Sequence, residues 1–294
     1  RAPQTKTIKW VEGLCEPQEQ KGGTIVWNGW VRDITERKET ERQLKQTMED
    51  LKRSNEELER FAYVASHDLQ EPLRMVSSFT QLLQKRYQDK LDQDANEFIN
   101  FAVDGAKRMQ ELINDLLIFS RVGTRGKPFK KTNMNEVLES VLINLTHPIQ
   151  EKGASIESEP LPVIIADESQ MRQLLQNLIS NAIKFHGDEP PKIHVKGETK
   201  ETEWIFSVKD DGIGIKQKFF ERIFIIFQRL QKKSEYGGTG IGLAVCKKII
   251  QRHKGNIWVE SEEEKGSTFY FSIPRNLGNK NDNSKKFTKW REIE

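Results

Sequence analysis

From Glu36 to about Arg60 neither proline nor glycine interrupts the chain, and Leu44, Leu51 and Leu58 recur every seven residues, with Met48, Asn55 and Ala62 four positions after each. Apolar positions at that spacing form one seam of a helix, so the pattern predicts a short coiled coil with Asn55 as a register-setting polar residue. A solitary charged surface helix is the alternative, and three heptads favour the coil. Next, Phe61, Ala65, Leu69, Val76, Phe79 and Leu83 share one stripe, and Ala95, Phe98, Ile99, Ala102, Ala106, Met109, Ile113, Leu116 and Ser120 form another. Two helices cannot bury two such stripes between them. The pattern therefore predicts a helical hairpin that pairs with a second copy into a dimeric four-helix bundle.

Strand-like alternation flanks these helices. Residues 5 to 32 alternate apolar and polar positions around Gly22 and Gly23, which predicts a two-stranded hairpin, the closing edge of a larger domain. Asp33, with Glu36 three residues on, predicts the start of the helix. After the breaker-rich linker "GTRGKPFKK", Leu138, Val141, Leu142 and Leu145 mark a helix, "PVIIAD" a buried strand, and residues 168 to 185 a further helix. "KIHVKGE", "EWIFSVKDD" and "STFYFSIP" read as strands and "GIGLAVCKKIIQRH" as a helix. An open antiparallel sheet with helices on one face, an α/β sandwich, is the simplest architecture for this part. The whole is an α+β multidomain chain.

Composition narrows the function. At 294 residues the chain has room for two or three domains, and 31% charged residues suit charge-laced helices. A net charge of +3 is too small to imply nucleic acid as a partner. No apolar run approaches a membrane span and no secretory signal opens the chain, so the expected location is cytoplasmic. Cys15 and Cys246 are too few for a disulfide framework or a zinc site. The start at Arg1 suggests a piece of a longer protein, and the basic stretch "KKFTKWR" near the end reads as a solvated tail.

Several short stretches carry candidate chemistry. His67 points roughly 150° away from the centre of its helix's apolar stripe, which argues against a core role. A lone histidine is most often bland, so the case rests on the rest of the chain. Asn177, Asn181 and Lys184 follow at intervals of four and three on one predicted helix, where two amide oxygens and an ammonium suit Mg²⁺ and phosphate oxygens. "DDGIG" ends a strand with Asp210 and two glycines, Gly212 and Gly214, which lets backbone approach a flat ligand while the carboxylate accepts from an exocyclic amine. "GGTGIGLA" is a glycine-rich run opening a helix, which offers N–H groups and a dipole end to phosphate. "KGST" is a further glycine turn. Each signal alone is weak, and an ordinary Asp-Gly turn or solvated helix face is the bland reading of each. A P-loop or Rossmann site fits less well, since no GxxxxGKS/T run occurs and neither glycine segment lies in a parallel strand-helix-strand unit.

In this order, over about ninety residues, these stretches resemble the N, G and terminal glycine boxes of the GHKL ATP-binding fold, with "IFIIFQRL" similar to its phenylalanine box. "SHDLQEPL" upstream completes the order of a sensor histidine kinase, with closest similarity to phytochrome-like and archaeal PAS kinases, and "GWVRDITERK" is similar to the end of a PAS sensor domain. The resemblance covers roughly residues 60 to 275. It implies a PAS-like piece at 1–35, a coiled-coil signalling helix at 36–60, a dimerisation and phosphotransfer domain at 61–124, an ATP-binding domain at 125–275 and a polar tail at 276–294.

The resemblance also implies roles. His67 is expected as phosphoacceptor with Asp68 as its acid or base partner, Asn177 as the Mg²⁺ ligand, Asn181 and Lys184 as phosphate contacts and Asp210 as the adenine reader. Gly212, Gly214, Gly238, Gly240 and Gly242 shape the pocket and its lid, and Thr239, Leu243 and Thr268 join the ATP-binding set. A response-regulator receiver domain is the implied partner. Ile225 and Ile226 stand where many relatives have Glu-Pro, and the lid at 228–237 is short. Pro72 removes a donor to the carbonyl of Asp68 and predicts a bend at the reactive turn. Glu71 stands where kinases that also dephosphorylate their receiver carry Thr or Asn, which predicts little phosphatase activity. A catalytically silent scaffold and a GHKL ATPase that does not mark itself are the rivals; intact His67, Asn177 and Asp210 argue against the first, and the histidine helix against the second.

Overall fold

A computed structural model describes residues 9–19, 22, 25–87, 90–124, 126–230 and 238–276, with the side chains of Asn55, Leu58, Glu59, Ala62 and Thr124 left aside. Gly23 of the hairpin turn, the lid residues 231–237, the tail from 277 and three of the six seam side chains lie outside the described residues. The chain divides into two compact units, residues 1–61 and 62–294.

In the first unit, β1 (Val11–Glu19) and β2 (Ile25–Asp33) pair antiparallel from Val11 opposite Asp33 to Glu19 opposite Ile25. Helix α1 (Thr35–Tyr87) follows at once. Asp33 accepts the Thr35 N–H at 3.0 Å, the Thr35 hydroxyl accepts the Trp10 N–H at 2.9 Å, and these bonds fix the strand-to-helix turn. Hydrogen bonds from Thr35 and Lys9 hold the Asp33 carboxyl well below the usual range. Trp10, Leu14, Trp27, Trp30 and Val31 are exposed, as expected of a hairpin that cannot bury its own faces. Leu44, Met48 and Leu51, half of the expected seam, are exposed on α1.

In the second unit α1 continues as helix through Pro72, and α2 (Gln93–Thr124) returns beside it. Gln70 donates to Asn114 at 2.9 Å and Gln84 to Asn100 at 2.7 Å across the pair. Leu73, Val103, Ala106 and Leu117 are buried, whereas Leu69, Val76, Phe79 and Leu83 of α1 and Phe98 and Met109 of α2 are exposed. Most of the predicted stripe thus lacks cover within the chain.

The remainder runs β3 (Lys130–Asn133), α3 (Met134–Asn144), α4 (Thr146–Lys152), β4 (Ser155–Ser158), β5 (Val163–Ala166), α5 (Glu168–Lys184), β6 (Lys192–Thr199), β7 (Glu203–Asp210), two single-turn 3-10 helices at Gln217–Phe219 and Arg222–Phe224, α6 (Gly242–Arg252), β8 (Ile257–Glu262) and β9 (Gly266–Pro274). A five-stranded sheet of order β4-β6-β7-β9-β8 is packed by α5 and α6. Asp167 caps α5, accepting from the N–H groups of Ser169 and Gln170. Met171, Leu174, Leu175, Leu178, Ile179, Ala182 and Ile183 of α5 are buried at helical spacing, and the stacked rings of Phe206 and Phe271, 4.8 Å apart, belong to the same core.

Three expectations need correction. The sheet is mixed, because β4 pairs parallel with β6; β5 and α5 intervene in sequence, the long crossover that parallel pairing needs. "PVIIAD" is not buried on both faces: β5 pairs antiparallel with β3 in a separate two-stranded sheet, and Val163 is exposed while Ile164 is buried. The strand β3 takes its first residues from the stretch read as linker, since "KKTN" has no apolar alternation to betray it.

Polar bonds fix the junction between α2 and the sheet domain. Gln170 donates to the Val122 carbonyl at 2.9 Å, and Arg252 donates to the Lys127 carbonyl, Asp167 and Gln170 at 2.7, 3.1 and 2.8 Å. Burial would raise the Asp167 carboxyl, but bonds from Ser169, Lys127 and Gln170 and the Arg252 charge hold it below the ordinary value. Helix α2 also packs on α6. Among the described residues no helix is long and apolar enough to cross a membrane.

Candidate nucleotide cavity and phosphoacceptor turn

A cavity of about 500 Å³ opens between α5, the end of β7, the glycine segment before α6 and, unexpectedly, α2. At its floor lies Asp210, the last residue of β7. Its Oδ1 accepts the N–H groups of Gly212 at 3.0 Å and Ser267 at 3.1 Å. Register explains the second bond, because Asp210 stands opposite Ser267 in the β7–β9 pair. Burial pushes the Asp210 carboxyl up to about 6, against the lowering effect of those two bonds. Ile213, Ile215 and Phe269 add apolar walls beside it, and Gly214, at φ 67°, passes so close to the Glu262 carbonyl that a Cβ would collide with it. The combination of an apolar slot with one oriented, half-titratable carboxyl suits a flat base with an amine edge.

Cationic and amide groups gather elsewhere on the wall. Asn177 donates from Nδ2 to the Gly242 carbonyl at 3.0 Å and accepts from Gln173 at its Oδ1, also at 3.0 Å. The first bond fixes the amide's orientation, so Oδ1 is the atom left to meet a cation, with one lone pair beyond the Gln173 bond. Asn181 and Lys184 line the same wall, as their spacing predicts. Desolvation lowers the Lys184 pKa, with the Arg229 charge adding to it and Glu111 opposing. Gly238, at φ 118°, lies against the Lys184 ammonium where any side chain would displace it. Thr239 in the glycine segment donates to Asp115 of α2 at 2.5 Å, and Glu111 and Asn114 of α2 line the cavity beside it.

His67 stands apart from the cavity lining. Its side chain is 68% exposed, and its Nδ1 lies 3.3 Å from Oδ1 of Asp68. Neighbouring side chains on a helix usually diverge, yet these two meet on the exposed surface. Three residues before Gln70, which bonds to Asn114, and four after Tyr63, whose ring sits under the Arg121 guanidinium at 5.2 Å, His67 lies between two ties from α1 to α2.

Comparison with known proteins fits this arrangement. Residues 57–125 match the family "His Kinase A (phospho-acceptor) domain" and residues 166–277 match "Histidine kinase-, DNA gyrase B-, and HSP90-like ATPase". Residues 57–277 belong to the histidine kinase family. Among curated relatives, cyanobacterial phytochrome A of Nostoc sp. is 56% identical over 79% of this chain and 30% of its own length. The phytochrome-like protein Cph1 of Synechocystis sp. is 53% identical over 81% and 31%. The methanogenesis regulatory histidine kinase FilI of Methanothrix harundinacea is 33% identical over 79% and 26%. The chain thus spans less than a third of the length of these relatives. Among solved structures, full-length ShkA in complex with AMPPNP superposes with a TM-score of 0.58 at 28% identity, covering 73% of this chain and 45% of that one. The histidine kinase ThkA in complex with response regulator protein TrrA gives 0.52 at 25%, covering 92% and 75%.

Within this histidine kinase fold, Asn177, Asn181, Lys184, Asp210, Gly214, Gly238, Thr239, Gly240, Gly242 and Leu243 all line one cavity. Gly212 serves it from behind, through its N–H to Asp210. Thr268 is not brought to it: alternation along β9 turns Ser267 and Phe269 to the cavity and Thr268 to the other face. The sequence reading also passed over Gln173, Arg229 and the α2 residues Glu111, Asn114 and Asp115. Glu111, Asn114, Asp115 and Ile118 do show a helical spacing, but a spacing does not say what packs against it.

Proposed function

We propose that the chain is the kinase part of an ATP-dependent sensor histidine kinase that autophosphorylates on His67 and passes the phosphoryl group to an aspartate of a response-regulator receiver domain. The observation that carries this reading is the position of α2, which pairs with the helix bearing His67 and also walls the cavity, Asn114 taking part in both. Asp210 Oδ2 is the acceptor for the adenine amine, since both backbone bonds fall on Oδ1. Among the described residues no cluster of three His, Cys, Asp or Glu side chains could hold a metal alone. Asn177 Oδ1 fits Mg²⁺ only as one ligand among phosphate oxygens and water, where the ion supplies charge neutralisation. Lys184 and the N–H groups opening α6 bind the phosphates, their desolvation already met by the fold.

At the turn, the Asp68 carboxylate accepts Nδ1–H of His67, which leaves the Nε2 lone pair to attack. The Nε2–P bond forms as the bond from the γ-phosphorus to the bridging oxygen breaks, ADP leaves with that electron pair, and the Nδ1 proton passes to Asp68. The exposed stripe of Leu69, Val76, Phe79 and Leu83 supports a dimeric bundle. The β1–β2 hairpin running straight into α1 supports a PAS-like sensor upstream, acting along a coiled coil and the proline-bearing turn. ATP and receiver domains place this chemistry in the cytoplasm. The test is incubation with γ-labelled ATP and Mg²⁺. Label retained in alkali and lost in acid, and absent in His67→Gln, supports a phosphoramidate on His67; ATP hydrolysis without label favours the ATPase rival, and neither favours the scaffold.

A further inference from the structure

The chain's own groups fill three of the four hydrogen-bonding positions of the Asn177 amide and leave one open. The Gly242 carbonyl can only accept, so Nδ2 must be the atom that faces it, at 3.0 Å. The second N–H of Nδ2 meets the sulfur of buried Cys246, whose own proton is directed at the Leu174 carbonyl 3.9 Å away. With both donors committed, Oδ1 is turned to Gln173, which reaches it with Nε2 at 3.0 Å from one helical turn earlier on α5. One lone pair of Oδ1 remains, on a residue that lines the cavity.

We infer that Gln173 is a positioning residue for the metal, its N–H fixing the Asn177 amide so that the remaining Oδ1 lone pair is held toward a Mg²⁺ ion on the phosphates. The inference rests on the kinase reading, in which Asn177 is a ligand of that ion. Gln173 itself lies outside the cavity lining, so it acts only through Asn177. A neutral amide oxygen is a weak ligand, and a hard cation that demands near-ideal octahedral geometry gains from it only when the oxygen is already aimed. Gly242 and Cys246 hold the nitrogen end of the amide; without Gln173 the oxygen end is free to tilt. Residue type at 173 therefore matters in a way that can be read. A glutamate there keeps the shape but cannot donate, so its carboxylate repels Oδ1 and draws Nδ2 away from Gly242. Its charge alone would instead attract the cation. Orientation and charge predict opposite signs for the same substitution.

Calorimetric titration of ATP, once in Mg²⁺ and once in EDTA, separates the two. Gln173→Leu and Gln173→Glu are each expected to weaken binding about tenfold in Mg²⁺, the usual cost of losing the partner of a metal ligand, with binding in EDTA and Tm unchanged. Equal losses in both solutions would make Gln173 a structural residue, and tighter binding by Gln173→Glu in Mg²⁺ would make its effect one of charge; either result overturns the inference, as does unchanged binding. Adding Gln173→Leu to Asn177→Ala is expected to cost nothing beyond Asn177→Ala alone, because the two residues act as one unit, and additive losses overturn the inference as well. A Gln173 variant that unfolds leaves the other to decide, and loss of the fold in both removes the positioning role. If Asn177→Ala itself keeps the full gain in affinity from EDTA to Mg²⁺, the reading of Asn177 as metal ligand fails instead.

Discussion

Asp210 is 8% exposed, tied to two backbone N–H groups and raised by burial, whereas the side chain of His67 is 68% exposed and meets one carboxylate at 3.3 Å. The two groups serve one proposed reaction under opposite physical conditions. A base-reading group gains from a dry, prearranged slot, since every donor and acceptor there counts for more than in water. A phosphoacceptor must present itself first to ATP and then to a second protein, and a buried imidazole cannot do both. Selectivity is therefore built into the cavity, while the turn depends on what is brought to it.

The strongest way to break that comparison is to remove the cavity's oriented groups. Asp210→Ala strips the N–H groups of Gly212 and Ser267 of their acceptor, a cost of about 1–3 kcal/mol for each buried donor left unpaired. Asn177→Ala removes the amide proposed to face the metal and the bond to the Gly242 carbonyl. Each variant is expected to weaken ATP-Mg²⁺ binding about 10- to 100-fold, as the loss of one charge-assisted contact worth about 1.5–3 kcal/mol implies. Calorimetric titration checks this; normal binding in both would remove the site. Dimerisation is expected to survive, since neither residue lies on α1 or α2.

Acidity separates the two regions next. Burial puts the Asp210 carboxyl at about 6, and the adenine amine needs the ionised form as acceptor. A proton on Asp210 then competes with ATP, so affinity falls about tenfold per pH unit below that value and levels off above it. The sign for the empty fold is opposite. Because the folded value lies above the ordinary 3.8, the stability tied to this group is full below 3.8 and lost as pH rises through about 6. Titrations from pH 5 to 7.5 read the first effect, and Asp210→Asn abolishes it. A flat affinity profile in the unmodified chain would contradict the assignment of the base reader.

Asp115 tests the boundary between the regions. Its carboxylate holds Thr239 and lines the end of the cavity proposed to meet phosphate. Asp115→Asn keeps an acceptor for the hydroxyl and removes the charge. ATP is expected to bind about five-fold tighter, the size of one screened like-charge contact. Equal or weaker binding would mean that the phosphates do not approach α2.

How far each region was legible follows from the same contrast. The cavity's own face was written in glycines and in polar residues at helical spacing, because backbone approach and groove-lining constrain residue type locally: Asn177, Asn181 and Lys184 were placed together by arithmetic alone. Thr268 was misplaced by one residue, since a glycine turn fixes the region but only strand register decides that Ser267 faces Asp210. The α2 wall was not legible at all. Glu111, Asn114 and Asp115 carry no local signal of a site, and their place in the wall arises from α5 and the glycine segment before α6, more than fifty residues on in sequence, folding back upon them. Likewise β3 and the parallel β4–β6 pair were lost because short polar strands owe their existence to a neighbour.

The smallest expected effect concerns the exposed turn after it has served as donor. Glu71, one helical turn beyond His67, is exposed, so its carboxylate is free to face a docked receiver. To speed hydrolysis of a phosphoaspartate, a side chain there must orient water while tolerating the phosphoryl group's charge. Thr and Asn offer a neutral head that both donates and accepts; an ionised glutamate accepts only and repels the phosphoryl group and the acidic residues around it. The chain is therefore expected to act as a kinase with little phosphatase activity, the receiver's signal decaying at its own rate. With His67→Ala in place to block back-transfer, adding the nucleotide-bound chain to its phosphorylated receiver leaves the decay unchanged. Glu71→Asn in that background accelerates it about two- to five-fold, a modest gain because one polar contact is worth about 0.5–1.5 kcal/mol. Decay faster than that of the receiver alone before Glu71 is changed would show that the exposed turn needs no neutral residue to position water.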